Sequence, residues 1–337
     1  MKFKAFLSLI RGGQFFHILR LSRLLESVYR ADFLSTSASS GVLRLLAAGP
    51  ASLDRLAAEL RLEAPYRNAL EAWLQVGVRL KELSVTKDGY ALRSKLSRVL
   101  AAPENDGAAA FLEEVMTLHY GLIRRLPGML KNRQLFTLAD VDGELIARSS
   151  RIMEPLVFAA IDEVVPPAGE LRLLEIGCGS GTYIRYAAQR NPQLTALGVE
   201  LDPQVAAAAR KNLSQWGLEG RAEIVAGDIR SRTPAPEFDL ATLHNNIYYF
   251  PFQSRPGLLT LVRGFLKPGG KLLLTTGCRG GSIFMEMLNL WGAATEGCGV
   301  LPTPGEMVEH LEQGGFASVK AAKLYPFDSY YSFVGTA

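Results

Sequence analysis

Seven residues, Glu175-Ile176-Gly177-Cys178-Gly179-Ser180-Gly181, constrain this chain more than any other stretch. An apolar run from Leu171 to Leu174 feeds directly into them and a helical pattern leaves them. Together they read as a strand, a glycine turn and a helix N-terminus shaped to receive a nucleotide-like ligand. Glycine turns the backbone through conformations closed to other residues and leaves room for a ligand against the main chain. The glycines occupy positions one, three and five of the turn, whereas the dinucleotide fingerprint sets its third glycine one residue later, where Thr182 stands. That spacing argues against a nicotinamide or flavin cofactor. A second apolar run, Leu194 to Leu201, ends in Glu200-Leu201-Asp202 and so places an acid at the tip of the neighbouring strand. A carboxylate there can accept hydrogen bonds from two ribose hydroxyls.

Three further motifs follow in order. Gly227-Asp228-Ile229 closes a third strand pattern, Phe238 to Leu243 forms a fourth that ends in His244-Asn245-Asn246, and Leu266-Lys267-Pro268-Gly269-Gly270 turns into a fifth, Lys271 to Thr276. In this order the motifs resemble the class I S-adenosylmethionine-dependent methyltransferases, over roughly Arg151 to Ala337. The resemblance implies an α/β fold with a Rossmann-like seven-stranded methyltransferase sheet, finished by a terminal hairpin of Ser318 to Leu324 and Tyr330 to Gly335. It also implies S-adenosylmethionine as cofactor, held by Glu175, Gly177, Gly179, Gly181, Glu200, Leu201, Asp228, Ile229 and Asn245, with Asp228 at the adenine amino group.

A chain of 337 residues, 48% hydrophobic and 21% charged, is long enough for two domains with their own cores and too apolar for wholesale disorder. Cys178, Cys278 and Cys298 show no paired spacing and give no disulfide framework, so a cytoplasmic location is expected. No uncharged apolar run reaches membrane-spanning length, and no secretion signal is found. Net charge is +4, but residues 1–30 alone carry Lys2, Lys4, Arg11, Arg20, Arg23 and Arg30 against Glu26. Interleaved apolar residues make this stretch compatible with amphipathic helices that need a partner. A subunit or domain interface is favoured, with weak contact to an anionic membrane as the alternative.

Between residues 35 and 100 the chain reads as three short helices, Ser40 to Ala48, Ser52 to Leu60 and Pro65 to Leu74. A hairpin follows, in which Leu83 to Thr86 and Tyr90 to Leu92 flank Lys87-Asp88-Gly89. Three helices plus a hairpin predict a winged helix. Its second turn-motif helix offers Arg67 and Asn68 but no basic stripe for phosphates, which disfavours nucleic acid as a partner. The layout resembles small-molecule O-methyltransferases, and this implies a front domain that dimerises and roofs the acceptor pocket. The expected division is 1–105 for that domain, 106–150 for a helical connector and 151–337 for the S-adenosylmethionine-binding domain, with a homodimer as the assembly.

Methyl transfer from a sulfonium is an in-line displacement, so holding nucleophile, methyl carbon and sulfur in a line matters more than a strong base. His244, at the carboxyl end of the fourth strand, is the best-placed candidate base, and His119 in the connector is the other. Asn246, Tyr248 and Tyr249 are expected to face the acceptor, together with Met285 and Trp291 from the segment Ser282 to Leu301; ordinary packing is the plainer explanation for the aromatics and methionine. Four scattered histidines and no ligand-spaced cluster predict no metal. The expected activity is methylation of a small, largely apolar acceptor, at oxygen by preference. Transfer to carbon or nitrogen, and a non-catalytic S-adenosylmethionine-binding transcriptional regulator, are the alternatives.

Overall fold

Sequence-local signals and long-range pairing meet in a computed structural model that describes residues 10, 12 and 14–337, so the charges and apolar residues among 1–9, 11 and 13 lie outside the described residues. The chain divides into two compact units. The first takes the described residues up to Gly121 and adds Asp142–Ile152; the second is Leu122–Val141 with Met153–Ala337. The segment expected as a connector, 106–150, is therefore shared between the two units.

In the first unit a long helix, α1 (Gln14–Ser39), precedes α2 (Val42–Ala47), α3 (Leu53–Glu59) and α4 (Arg67–Arg79), then the hairpin β1 (Leu83–Thr86) and β2 (Gly89–Leu92), and α5 (Lys95–Ala101). Ser52 caps α3 as its sequence position suggests, its Oγ accepting the Arg55 N–H at 3.2 Å. The third predicted helix starts later and runs longer than expected, because Pro65 sits in a 3-10 turn, Ala64–Tyr66, ahead of α4. The hairpin is anchored by a bridge between Ala51 and Tyr90. A side chain at Gly89, whose φ is +114°, would overlap the Ala51 carbonyl. Phe33, Leu43, Leu56, Leu74 and Leu83 form the core, each burial contributing about 1.5–3 kcal/mol. Beneath them the buried Glu82 receives Arg30 Nε at 2.5 Å and the Ser94 hydroxyl. After α6 (Asp106–Glu114) comes a π-helical turn, Val115–His119, and then α7 (Tyr120–Lys131). The insert α8 (Gly143–Ser149) docks on α6 through a two-pronged Arg148–Asp106 pair at 2.7 and 3.1 Å.

The second unit is built on a seven-stranded sheet. Helix α9 (Glu154–Val164) leads to β3 (Leu171–Ile176), α10 (Thr182–Arg190), β4 (Leu194–Glu200), α11 (Pro203–Gln215), β5 (Ala222–Ala226), β6 (Phe238–His244), α12 (Arg255–Phe265) and β7 (Leu266–Gly277). It continues through α13 (Ile283–Ala294), α14 (Pro304–Gln313), β8 (Ala317–Tyr325) and β9 (Tyr330–Thr336). Strand order is β5-β4-β3-β6-β7-β9-β8, with β9 antiparallel to both its neighbours and the rest parallel. Near-continuous apolar runs suit strands covered on both faces. β7 begins earlier than expected. Leu266 pairs with Phe238, and an irregularity across Lys267–Gly270 precedes the regular ladder from Lys271. Because β3 lies centrally and its successors are laid down to either side, the order reverses between β3 and β6. Ligands bind at the carboxyl ends of strands at such a switch point.

The two faces of this sheet differ in chemistry. Leu174, Ile176, Ala241, Leu243, Leu272, Leu274 and Phe333 pack on α12 and α14 as the larger core. On the opposite face, register pairs Glu175 with Thr242, and His244 with Thr275, which in turn pairs with Ser332. All five of these polar side chains are buried. Among the described residues, no helix is long and apolar enough to cross a membrane.

Candidate functional site

The glycine turn begins where β3 ends. Gly177 and Cys178 donate their N–H groups to the Val199 carbonyl at 2.8 and 3.2 Å, binding the turn to β4. Gly177, Gly179 and Gly181 have φ of +66°, +51° and +80°, a region that L-residues enter only at a cost. Their surroundings separate them. A Cβ at Gly177 would stand 2.5 Å from Asn246 Nδ2, whereas at Gly179 no atom lies within 4 Å. A side chain at Gly177 would thus meet Asn246, and one at Gly179 open space.

Glu200 sits at the tip of β4. One carboxylate oxygen accepts the Gly179 N–H at 2.9 Å and the other the Asp202 N–H at 3.1 Å. Each oxygen keeps lone-pair capacity for a further donor, and the turn and the acid are fixed to one another. Asp202 caps α11 through Gln204 and Val205, and Leu201 is exposed. At the end of β5, Asp228 accepts the Arg230 N–H at 2.8 Å and faces the Arg230 guanidinium at 2.6 Å, which holds its carboxyl below the usual range. Ile229, next in the chain, has its side chain buried in the core, which leaves its backbone to face a ligand.

Glu175 is 1% exposed, and neither carboxylate oxygen has a hydrogen-bond partner. Burial, reinforced by the Glu200 carboxylate, raises its pKa well above the ordinary value. The Thr242 hydroxyl, at the same register, is unpartnered too. Two residues further along β6, His244 has Nδ1 2.9 Å from Thr275 Oγ1, Nε2 buried without a partner, and its ring edge-on to Tyr183 at 4.8 Å. Burial pushes its pKa down to about 3, so the ring is neutral at physiological pH and takes up a full proton poorly. A neutral ring of this kind can orient a donor but is a weak general base. His119 belongs to the first unit, where its Nε2 faces Glu114 at 3.3 Å.

Asn245 adopts φ +54° and accepts the Tyr330 hydroxyl proton at 2.8 Å; the same hydroxyl lies 3.4 Å from Thr275 Oγ1. Asn246 donates to the Ile176 carbonyl at 2.5 Å and braces the glycine turn, leaving its buried Oδ1 unpartnered. Tyr248, Tyr249 and Trp291 gather in one aromatic cluster, with the Trp291 ring 6.0 Å from Tyr248 and 5.3 Å from Tyr249 and its indole N–H unpartnered. Met285 packs against the backbone of Gly277 and Gly281. Tyr183, Thr242, Thr275 and Tyr330 are not singled out by the sequence; for Thr242 and Thr275 the signal is a polar residue inside an apolar strand run.

S-adenosylmethionine fits these residues. The open side of Gly179 admits a ligand against the main chain, Glu200 offers acceptors for ribose, and the unpartnered Glu175 oxygens suit a cation. Among the described residues, no group of three or more His, Cys, Asp or Glu side chains is placed to hold a metal ion.

Known proteins resemble this chain in sequence and in fold. Residues 173–270 match a family model described as a methyltransferase domain. Demethylspheroidene O-methyltransferase of Cereibacter sphaeroides is 28% identical over 300 residues, spanning 83% of this chain and 76% of that protein. The chain spans 50% and 48% of two further relatives. The solved structure of the mitomycin 7-O-methyltransferase MmcR matches with a TM-score of 0.77 at 18% identity, covering 97% of this chain and 99% of that one. Human N-acetylserotonin methyltransferase in complex with its methyl donor gives 0.73 at 20% identity, covering 96% and 97%. At these identities the structural likeness shows the fold.

Proposed function

We propose, from the premise that the chain is a class I S-adenosylmethionine-dependent methyltransferase, that it methylates an oxygen atom of a small, largely apolar acceptor. The observation that carries the reading is the turn in which Gly179 opens to a ligand while its N–H is tied to the ribose-facing acid Glu200. The name of a sequence relative, demethylspheroidene O-methyltransferase, supports transfer to oxygen. When bound, S-adenosylmethionine supplies an electrophilic methyl group on a positively charged sulfur.

The chain's own residues supply placement. Glu200 accepts ribose hydroxyls, Asp228 and Leu201 flank the adenine, and the two polar neighbours Glu175 and Asn245 serve the amino-acid end. His244 donates Nδ1–H to Thr275 and keeps the Nε2 lone pair for the acceptor hydroxyl, orienting it rather than storing its proton. Tyr248, Tyr249, Trp291 and Met285 give the apolar wall, with Asn246 holding the turn from behind. The first unit acts as a winged-helix dimerisation domain; Phe16, Ile18, Leu21, Leu24 and Tyr29 of α1 are exposed, and a second copy would cover them. Three free thiols suit a reducing cytoplasm.

The test is incubation of the purified chain with methyl-labelled S-adenosylmethionine and an extract of small molecules from the source cells. Label is expected in an organic-soluble product whose new methyl resonance is that of a methoxy group. Label confined to protein or nucleic acid, or a methyl on carbon or nitrogen, overturns the reading.

A further inference from the structure

Three buried polar side chains stand in line across the carboxyl end of the sheet, His244 from β6, Thr275 from β7 and Tyr330 from β9. Register pairs His244 with Thr275, and His244 Nδ1 lies 2.9 Å from Thr275 Oγ1. Thr275 Oγ1 is in turn 3.4 Å from the Tyr330 hydroxyl, which lies 2.8 Å from Asn245 Oδ1. Asn245 takes φ +54°, with its own N–H held by the Thr275 carbonyl at 2.9 Å. The line therefore runs from a ring whose other nitrogen is buried without a partner to an amide carbonyl, which can only accept.

Each hydroxyl has one proton, and counting protons gives every bond its direction. The Asn245 carbonyl oxygen has none to offer, so Tyr330 donates to it. The Tyr330 oxygen is then free to accept from Thr275, and the Thr275 oxygen to accept from His244 Nδ1–H. In the reverse arrangement Thr275 donates to Nδ1 and the ring proton sits on Nε2, as a buried N–H with no acceptor. A buried donor left unpaired costs about 1–3 kcal/mol and is rarer in folded chains than an idle lone pair. Burial keeps the ring neutral, so it has one proton to place, and the hydrogen bond at one nitrogen decides the state of the other.

We propose that Thr275 and Tyr330 are positioning residues that set the tautomer of His244, fixing its proton on Nδ1 so that Nε2 keeps a lone pair for the hydroxyl to be methylated. The role rests on the methyltransferase reading above, whereas the tautomer rests on side-chain geometry alone. With Nε2 bare, the ring accepts a hydrogen bond from the acceptor hydroxyl and leaves the oxygen lone pairs free to attack the methyl carbon. With the proton on Nε2, the ring would donate to that same oxygen and draw away the electron pair that attacks. Tyr330 acts on the ring through Thr275: without the phenol oxygen, the Thr275 proton can turn to Nδ1, and the ring proton then moves to Nε2.

The experiment is nitrogen-15 magnetic resonance of the full chain labelled at its histidines, read in long-range proton–nitrogen correlation near neutral pH. The His244 signals are those missing from His244→Gln. The wild type is expected to show a protonated Nδ1 and a bare Nε2. Thr275→Ser, which keeps the hydroxyl, is expected to retain that pattern, whereas Thr275→Val and Tyr330→Phe are expected to shift the proton to Nε2. The latter two are expected to bind S-adenosylhomocysteine as the wild type does in titration calorimetry, and to transfer label from methyl-labelled S-adenosylmethionine to the organic-soluble product about tenfold more slowly or worse. A wild-type spectrum with Nε2 protonated overturns the proposal without any variant, and so does an Nδ1–H pattern that survives both Thr275→Val and Tyr330→Phe. Slower transfer with an unchanged tautomer also overturns it, since that is the mark of a packing role. Absence of methyl transfer by folded wild-type chain whose Nδ1 is protonated overturns the methyltransferase reading instead.

Discussion

Gly177 and Gly179 lie two residues apart in one turn, and the structure assigns them opposite neighbours, so alanine at each tests the turn from both sides. Both have positive φ, and an L-residue there costs roughly 1–2 kcal/mol. At Gly179 that is the whole expected loss of stability, because its Cβ meets nothing within 4 Å. At Gly177 the new methyl stands 2.5 Å from Asn246 Nδ2 and displaces the side chain that donates to the Ile176 carbonyl. Losing that bond and leaving a buried carbonyl unpaired adds about 1–3 kcal/mol, for a total of about 2–5. Affinity runs the other way at Gly179, where a Cβ would meet open space. A methyl at residue 179 occupies the space a nucleoside needs against the main chain, and binding of S-adenosylhomocysteine should fall at least a hundredfold, about 2.7 kcal/mol. Urea unfolding gives the first quantity and titration calorimetry the second. The reasoning fails if Gly179→Ala binds the nucleoside normally, or if Gly177→Ala proves no less stable than Gly179→Ala.

Further perturbations address the acids and the histidine. Glu175 has a folded pKa raised above its ordinary 4.5, so its favourable contribution is complete at acid pH and is lost as pH rises toward the folded value. Ligand-free Glu175→Gln should therefore gain stability relative to wild type across that window, by up to about 1.4 kcal/mol per pH unit in urea unfolding; a pH-independent difference contradicts the burial argument. Glu200→Gln keeps the shape but weakens acceptance of two hydroxyls, and S-adenosylhomocysteine affinity should drop by about ten- to a hundredfold, with an equal loss for a 2′-deoxyribose analogue counting against the role. His244→Ala should lower methyl transfer about a hundredfold without changing nucleoside affinity. With a ring pKa of about 3, the wild-type rate should show no His244 limb near pH 6.5; a limb there that the variant abolishes would restore the ring as a titrating base.

The glycine turn was legible because its function is written in local spacing: strand, Gly177, Gly179, Gly181, helix. Glu200 was legible for the same reason, standing at the end of an apolar run. Strands β3 to β7 and the β8–β9 hairpin followed from apolar periodicity and turn residues, though the start of β7 did not, since Lys267–Gly270 reads as a turn and only pairing with Phe238 draws Leu266 into the ladder. What the sequence could not show was the polar seam on one sheet face. Glu175, Thr242, His244 and Thr275 lie up to a hundred residues apart and become neighbours through strand register alone. Nor could it show that Asn246 braces the turn from behind, that Ile229 belongs to the core, or that Asp142–Ile152 returns to the first unit through Arg148 and Asp106. Each depends on which distant partner a side chain finds, and periodicity carries no information about that.

Whether this chain takes up S-adenosylmethionine at the Gly177–Gly181 turn is tested most directly by equilibrium dialysis of the labelled cofactor against wild-type protein and Glu200→Ala. Saturable uptake of one cofactor per chain by the wild type, strongly reduced in a variant that keeps its circular dichroism spectrum, is the predicted result. Undiminished uptake by the variant, or none by folded wild-type protein, would contradict it.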